Sequence, residues 1–341
     1  YTRYGDDWRT AFEAQKIRQG EVWDDRFGWI PKSYLKLYEQ GQRRMGRRWI
    51  SAEDEARLRS DIRNGWVVET EHYHVLTNVS LEAAARLAKQ LEKLYQVWSQ
   101  LFVGFYATRA QVAAMFEGRL PRRSASVRHQ VIYYRSRDEY VAALRTRFPQ
   151  IDKSVGIYVG ETRTAYFYDR NSADRTTLFH EATHQLFSEM RKPANTVGQR
   201  GNFWIIEGVA MYMETLKEQG PFYVLGDPRN NRVIAAQYRY QVDRFYIPLA
   251  DFCRMTMHEF QTDARIAVLY SQAAGLTQFL MHYDGGKYRD AVALYLNDVY
   301  AGRDVPETLA RYCDTSFDEL DRQYADYIAS LPPLPKGLRV G

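Results

Sequence analysis

The pentapeptide His180-Glu181-Ala182-Thr183-His184 constrains this protein more than any other stretch. It lies in an apolar, helix-favouring run from Thr176 to Phe187. On a helix, residues i and i+4 stack on one face, so both imidazoles can reach a single metal ion, with zinc the expected occupant. Glu181 falls one step round the helix, beside the metal, where a carboxylate can take a proton from water. The bland alternative is a chance match in a sequence with seven histidines.

A catalytic zinc needs a third protein ligand and one open position. The best candidate is Glu207, in the apolar segment Trp204-Ile205-Ile206-Glu207-Gly208-Val209-Ala210-Met211-Tyr212-Met213-Glu214. A carboxylate facing the core there is costly unless paired or metal-bound. Gly208 and Ala210 keep the helix surface small, so close approach to the motif helix is expected. Glu214 lies seven residues on, along the same face, where a carboxylate can grip a ligand imidazole. An amphipathic helix with two exposed glutamates is the plain alternative.

Residues 1–65 are rich in Trp, Arg and Gly, with helical patches at Trp8 to Arg18 and Ala52 to Ile62. They read as an N-terminal extension packed on something else; no internal repeat or low-complexity tract stands out. From Trp66 to Leu76 the sequence alternates like one strand, which would put His72 and His74 on a shared face. Strand surface is the expected role of that pair. Ser80 is placed to cap a helix whose apolar positions run from Leu81 to Leu101. A strand at Val131 to Tyr134, a helix from Asp138 to Arg147 and a hairpin over Gly156–Val159 and Ala165–Tyr168 follow.

Asn171 or Ser172 should cap the motif helix, with Asp174 favourable in its first turn. A second helix is expected from Phe203 to Lys217, stopped by Gly220-Pro221, and mostly helices thereafter. The expected class is α+β, with residues 66–190 carrying the motif helix and residues 191–335 forming a mostly α-helical part that holds the third ligand.

Composition closes several options. Apolar residues make up 45 % and charged residues 26 %, a globular profile, and the formal charge is 47 − 42 = +5. That excess is mild, and the arginines at Arg43-Arg44, Arg47-Arg48 and from Arg119 to Arg128 read as solvated, without the aromatic interleaving of a nucleic-acid groove. No apolar run reaches the length of a membrane span. The sequence starts at Tyr1, as a processed or trimmed form would, so a signal peptide is not visible. Cys253 and Cys313 are open to either a bridge or two buried thiols.

The HExxH motif followed by the Glu-Gly-x-Ala-x-Tyr-x-Glu helix at Glu207–Glu214 resembles the gluzincin branch of zinc metallopeptidases. That branch includes thermolysin-like enzymes and the aminopeptidases with an Asn-Glu-Gly-Phe-Ala…Glu helix. The segment Tyr270-Ser271-Gln272-Ala273-Ala274-Gly275-Leu276 is similar to their tyrosine-bearing helix. A nearer resemblance, over residues 66–330, is to bacterial zincin-like domains often found in secreted proteins.

The resemblance implies a thermolysin-like zincin domain with a mixed sheet. It implies zinc on His180, His184 and Glu207, Glu181 as general base, Tyr270 as electrophilic helper, and Glu214 behind a ligand. It implies a polypeptide substrate and a secreted, periplasmic or cell-surface location. In zincins an edge strand beside the active-site helix pairs with the peptide, which makes Tyr158, Tyr166 and Tyr168 candidate substrate contacts. The Gly-x-Met-Glu-Asn segment that grips a free amine in the aminopeptidases is missing, and Ser154 to Tyr168 stands in its place. An endopeptidase is therefore expected. An exopeptidase, or a zincin-shaped binding module without turnover, are the alternatives.

Overall fold

The computed structural model describes residues 2–4, 7–117, 128–170 and 175–338. The caps expected at Asn171, Ser172 and Asp174, and most of the arginine-rich stretch after Arg119, lie outside the described residues. The protein divides into two compact units, one of Tyr1–Tyr95 with Ser124–Gln185, the other of Gln96–Arg123 with Leu186–Gly341.

The first unit opens with a hairpin–helix motif repeated three times. Strands β1 (Thr2–Tyr4) and β2 (Asp7–Arg9) pair antiparallel and lead into α1 (Ala11–Arg18). The same order recurs as β3 (Glu21–Asp24), β4 (Gly28–Pro31) and α2 (Leu35–Glu39). It recurs again as β5 (Gln42–Met45), β6 (Arg48–Ser51) and α3 (Ala52–Leu58). Trp8, Trp29 and Trp49 each lie two residues before the turn into the helical segment, at Thr10, Pro31 and Ser51. Gly20 and Gly41, both at φ 80°, end the first two helices. Their carbonyls accept hydrogen bonds from the amides of Lys32 (2.9 Å) and Ala52 (2.8 Å).

Each later tryptophan packs on the preceding helical segment. Trp29 meets Phe12 edge-on at 6.2 Å, and Trp49 meets Tyr34 at 5.0 Å. Trp8, with no described helix before it, is 67 % exposed. The expectation of no internal repeat is thereby corrected. Only the tryptophans, the two glycines and the hairpin rhythm recur, too little for side-chain composition to reveal. Arg43 is also not the solvated arginine expected. It is buried, lies over the rings of Phe27 and Tyr38, and pairs with Glu82 at 2.8 Å and Glu55 at 3.6 Å.

The stretch expected as one strand is a hairpin, β7 (Trp66–Glu69) and β8 (Tyr73–Thr77). Burial changes parity across it, with Trp66 and Val68 buried on one arm and Tyr73, Val75 and Thr77 on the other. Thr70 closes the turn, its hydroxyl accepting from the Tyr73 amide at 3.2 Å. His72 therefore sits in the turn, bonded to Glu92 at 2.8 Å, and does not share a strand face with His74, which meets Glu69 at 3.2 Å.

The remaining elements up to the motif helix follow in order. Ser80 caps α4 (Leu81–Leu101), its hydroxyl accepting from the Ala83 amide at 3.0 Å. After α5 (Val103–Tyr106) and α6 (Arg109–Phe116) come β9 (His129–Tyr134), α7 (Arg137–Leu144), β10 (Gly156–Val159), β11 (Thr164–Tyr168) and α8 (Thr176–Met190). The five-stranded sheet has the order β10-β11-β9-β8-β7. Its three inner strands are parallel and both edges antiparallel, so the sheet is mixed. One face carries the cluster of Tyr134, Tyr140, Val141, Leu144 and Ile151, with Ile157, Tyr166 and Tyr168 packed against it.

The second unit is helical apart from one small hairpin. Besides α5, α6 and the C-terminal ends of α4 and α8, its elements are α9 (Phe203–Met213), β12 (Lys217–Gln219), β13 (Phe222–Val224), α10 (Asn231–Gln241), α11 (Leu249–Phe252), α12 (Met257–Thr262), α13 (Ile266–His282), α14 (Arg289–Tyr300), α15 (Thr308–Cys313) and α16 (Phe317–Ser330). The helix expected to reach Lys217 stops at Met213, and Gly220-Pro221 turns the β12–β13 hairpin instead. Asn202 starts α9 in the left-handed region, with its side chain bonded to Asp304 at 2.8 Å and to the Tyr295 hydroxyl. The architecture is α+β with a helical C-terminal part. No helix among the described residues is long and apolar enough to cross a membrane.

The repeat glycines and the two thiols can be tested directly. Gly20→Ala and Gly41→Ala should each cost about 1–2 kcal/mol in urea denaturation, because each forces an L side chain into the left-handed region. Gly160→Ala, at ordinary φ and with only van der Waals contact to Tyr158, should stay within about 0.5 kcal/mol of wild type. Cys253 and Cys313 are unbridged and buried, and burial pushes both thiols up to about 12. Iodoacetamide at pH 8 should leave both unmodified in the native protein and alkylate both in denaturant, as mass spectrometry would record.

Candidate metal centre

The HExxH residues lie within α8, as their spacing requires, and the helix is anchored on the sheet by its own polar side chains. Gln185 donates its amide to the Gln130 carbonyl on β9 at 3.0 Å. The Glu181 carboxylate accepts the Tyr158 backbone N–H of β10 at 3.1 Å. Thr183 turns inward and returns its hydroxyl to the Phe179 carbonyl at 2.6 Å, which spares the core an unpaired polar group. These bonds fix the rotation of α8 and direct His180 and His184 to a common point.

The two imidazoles converge through their Nε2 atoms, 3.1 Å apart. Two nitrogens on one tetrahedral zinc would stand about 3.3 Å apart, given bonds of roughly 2.05 Å. The pair is therefore already at the separation a shared ion demands. One ligand atom from each of His180, His184 and Glu207 lies within 4.8 Å of the others. Both histidines are partly buried and Glu207 is buried. Two neutral nitrogen donors and one carboxylate are a donor set that zinc accepts, with room in its coordination for a further ligand. The residues present fit the ion.

Glu207 belongs to α9, all eleven residues of which are buried. Gly208 lets α9 close on α13, since a Cβ there would stand 2.2 Å from Thr277 Oγ1 and 2.9 Å from the Ala273 carbonyl. The small face thus serves α13, which corrects the expectation that it serves the motif helix. Glu214 is buried at the end of α9, and the Arg232 guanidinium bonds both of its oxygens, at 3.0 and 3.2 Å. Nothing in the sequence marks Arg232 as that partner. Tyr270 lies in the second turn of α13, its ring edge-on to Phe260 at 5.3 Å. His258 is exposed, while His282 pairs with the Tyr212 hydroxyl at 2.9 Å and burial lowers its pKa.

The hairpin residues divide. β10 is a sheet edge, but β11 is flanked by β10 and β9, so Tyr166 and Tyr168 have no open backbone edge to offer a peptide. Their side chains pack in the cluster under α7, with Tyr168 and Tyr140 5.2 Å apart. Ile157 packs there too, so strand alternation turns Tyr158 to the face of α8. The edge-strand expectation narrows to β10. The hold of the Tyr158 amide on Glu181 is invisible in sequence, because a backbone donor leaves no trace in residue type.

Comparison with protein-family models and with curated protein sequences gives no match.

The Glu214–Arg232 pair has a measurable consequence. Glu214 has a side chain only 3 % exposed, against 44 % for Arg232. Arg232→Ala should destabilise the protein by about 1–3 kcal/mol, the cost of a buried carboxylate losing its partner. Adding Glu214→Gln should recover part of that loss in urea denaturation, since a neutral amide is cheaper to leave buried.

Proposed function

We propose that this protein is a zinc-dependent peptidase of the gluzincin type, with a thermolysin-like active-site arrangement, cutting within polypeptides. The convergence of His180, His184 and Glu207, with Glu181 on the same helix as the two histidines, is the observation that carries the reading. A zinc ion held there would acidify a coordinated water and polarise a substrate carbonyl. His180 and His184 serve as neutral nitrogen donors, and Glu207 supplies the one negative charge of the set. Glu181 accepts the proton lost by the attacking water and passes it to the leaving amine. The Tyr158 amide keeps that carboxylate oriented. Glu214 grips a ligand imidazole from behind, and the Arg232 guanidinium pairs with its carboxylate.

Tyr270 donates its hydroxyl to the developing oxyanion, an interaction whose loss typically costs about 3 kcal/mol of barrier. β10 supplies main-chain hydrogen bonds to an extended peptide, which makes recognition of the backbone independent of side-chain sequence. Zincin-like domains that resemble this protein are often secreted, and a secreted, periplasmic or cell-surface location belongs to the same proposal.

Elemental analysis and a peptide-library digest test the reading together. Wild-type protein should bind about one zinc and lose activity to a chelator. Glu181→Gln should keep zinc and lose about 10²–10⁴-fold in hydrolysis. His184→Ala should lose both. A Glu181→Gln variant with undiminished activity refutes the mechanism, and a protein that binds no zinc and cleaves nothing is the binding module instead.

A further inference from the structure

The first turn of the motif helix borders a cavity the proposed chemistry does not use. It measures about 70 Å³, room for roughly two water molecules or one carboxylate. Arg86 of α4, Arg170 after β11 and Arg175 ahead of α8 line it, with the Tyr133 ring, Val155 and Thr177. All three arginines are exposed, and none is paired with a carboxylate among the described residues. The acid that also lines the cavity, Asp169, accepts the Tyr133 hydroxyl at 2.9 Å. Three arginines, one from α4 and two from the connection between β11 and α8, thus line one hollow, with Asp169 the one acid among its described lining residues. Among the described residues, arginines such as Arg26, Arg63, Arg265 and Arg322 sit on acids.

The position of the cavity gives the charge a purpose. Thr177 touches the start of the edge strand, since a Cβ on Gly156 would meet its methyl at 3.2 Å. Thr177 also precedes Glu181 by four residues, so the two share a helix face about 6 Å apart along the axis. An extended peptide advances about 3.3 Å per residue. A ligand lying along β10 with its reacting bond at Glu181 therefore brings a group about two residues away to the arginines.

We propose that this cavity is an anion subsite that takes a carboxylate of the substrate, either a terminal α-carboxylate or an acidic side chain, about two residues from the bond that is cut. The assignment rests on the peptidase reading for the direction of the ligand, not for the presence of the site. Guanidinium–carboxylate pairing in a bordered hollow is directional, and it gives specificity that the main-chain contacts of an edge strand lack.

Calorimetry on the Glu181→Gln protein tests it, with acetyl-pentaalanine as free acid, as C-terminal amide, and as amides carrying one glutamate at each position in turn. The free acid or one glutamate peptide should bind about tenfold or more tighter than the neutral amide, as a charge-assisted hydrogen bond provides. Preference for the free acid identifies a terminus, and preference for a glutamate amide identifies a side chain. In Arg86→Gln and Arg175→Gln the acid-to-amide ratio should fall towards one, with unchanged thermal midpoints because both side chains are exposed. Equal binding of acid and amide, or no binding of any peptide, overturns the subsite. Wild-type protein that cleaves no peptide, while the acid preference persists in binding, defeats the peptidase reading and leaves the subsite standing.

Discussion

A carboxylate buried in a helix without one exposed residue is the constraint to which the candidate site answers. Every position of α9 from Phe203 to Met213 is buried, and Glu207 sits among aliphatic and aromatic neighbours. Burying an ionised carboxylate alone would be prohibitive, so it must be neutralised, paired or bound to a cation. Glu214, just past the end of the same helix, meets that demand with the Arg232 guanidinium. Glu207 meets it differently, with two imidazole nitrogens among the ligand atoms within 4.8 Å. Imidazoles carry no net charge when neutral, so they offset the carboxylate only if they are protonated or share an ion with it. The two Nε2 atoms stand 3.1 Å apart. A divalent cation shared by the three residues, as proposed, would offset the carboxylate.

Much of the site is legible in sequence because it depends on helical periodicity. The i, i+4 spacing of His180 and His184 puts both rings on one face whatever the tertiary context, and α8 keeps that face. The apolar run round Glu207 announces burial for the same reason. What is not legible depends on partners far away in the sequence or on the backbone. Arg232 follows Glu214 by 18 residues and comes from another helix, and the donor that holds Glu181 is a peptide N–H. Gly208 signals close approach but not the neighbour, since a missing side chain names no partner.

The fold divides along the same line. The hairpin of β10 and β11 and the Ser80 cap of α4 are evident from local chemistry. The β7–β8 hairpin reads as one strand in sequence because its turn lacks Gly or Pro and is closed by a threonine hydroxyl. The three hairpin–helix repeats are hidden for a further reason. Their equivalence lies in φ angles and in carbonyls that accept across repeats, at Gly20 and Gly41, while most side chains differ. Trp29 and Trp49 are the visible remnant, and each is needed because a hairpin and a helix this short bury little by themselves.

The placement of the chemistry then follows from how α8 is pinned. Thr177, Glu181 and Gln185 recur at intervals of four, so they form one stripe. Gln185 is tied to β9, Glu181 to β10, and Thr177 abuts the first residue of β10. A helix held at three points along one stripe has neither rotation nor translation left to it. The imidazoles adjoining that stripe inherit its precision, which is what a metal site with few ligands requires. The same pinning involves Glu181, whose carboxylate anchors the helix to the sheet edge and, on the proposed mechanism, would also be the base. The edge-strand amide of Tyr158 holds that carboxylate in place. The strand that would carry the substrate therefore also orients the group that would take its proton, and register on β10 becomes register on the reaction.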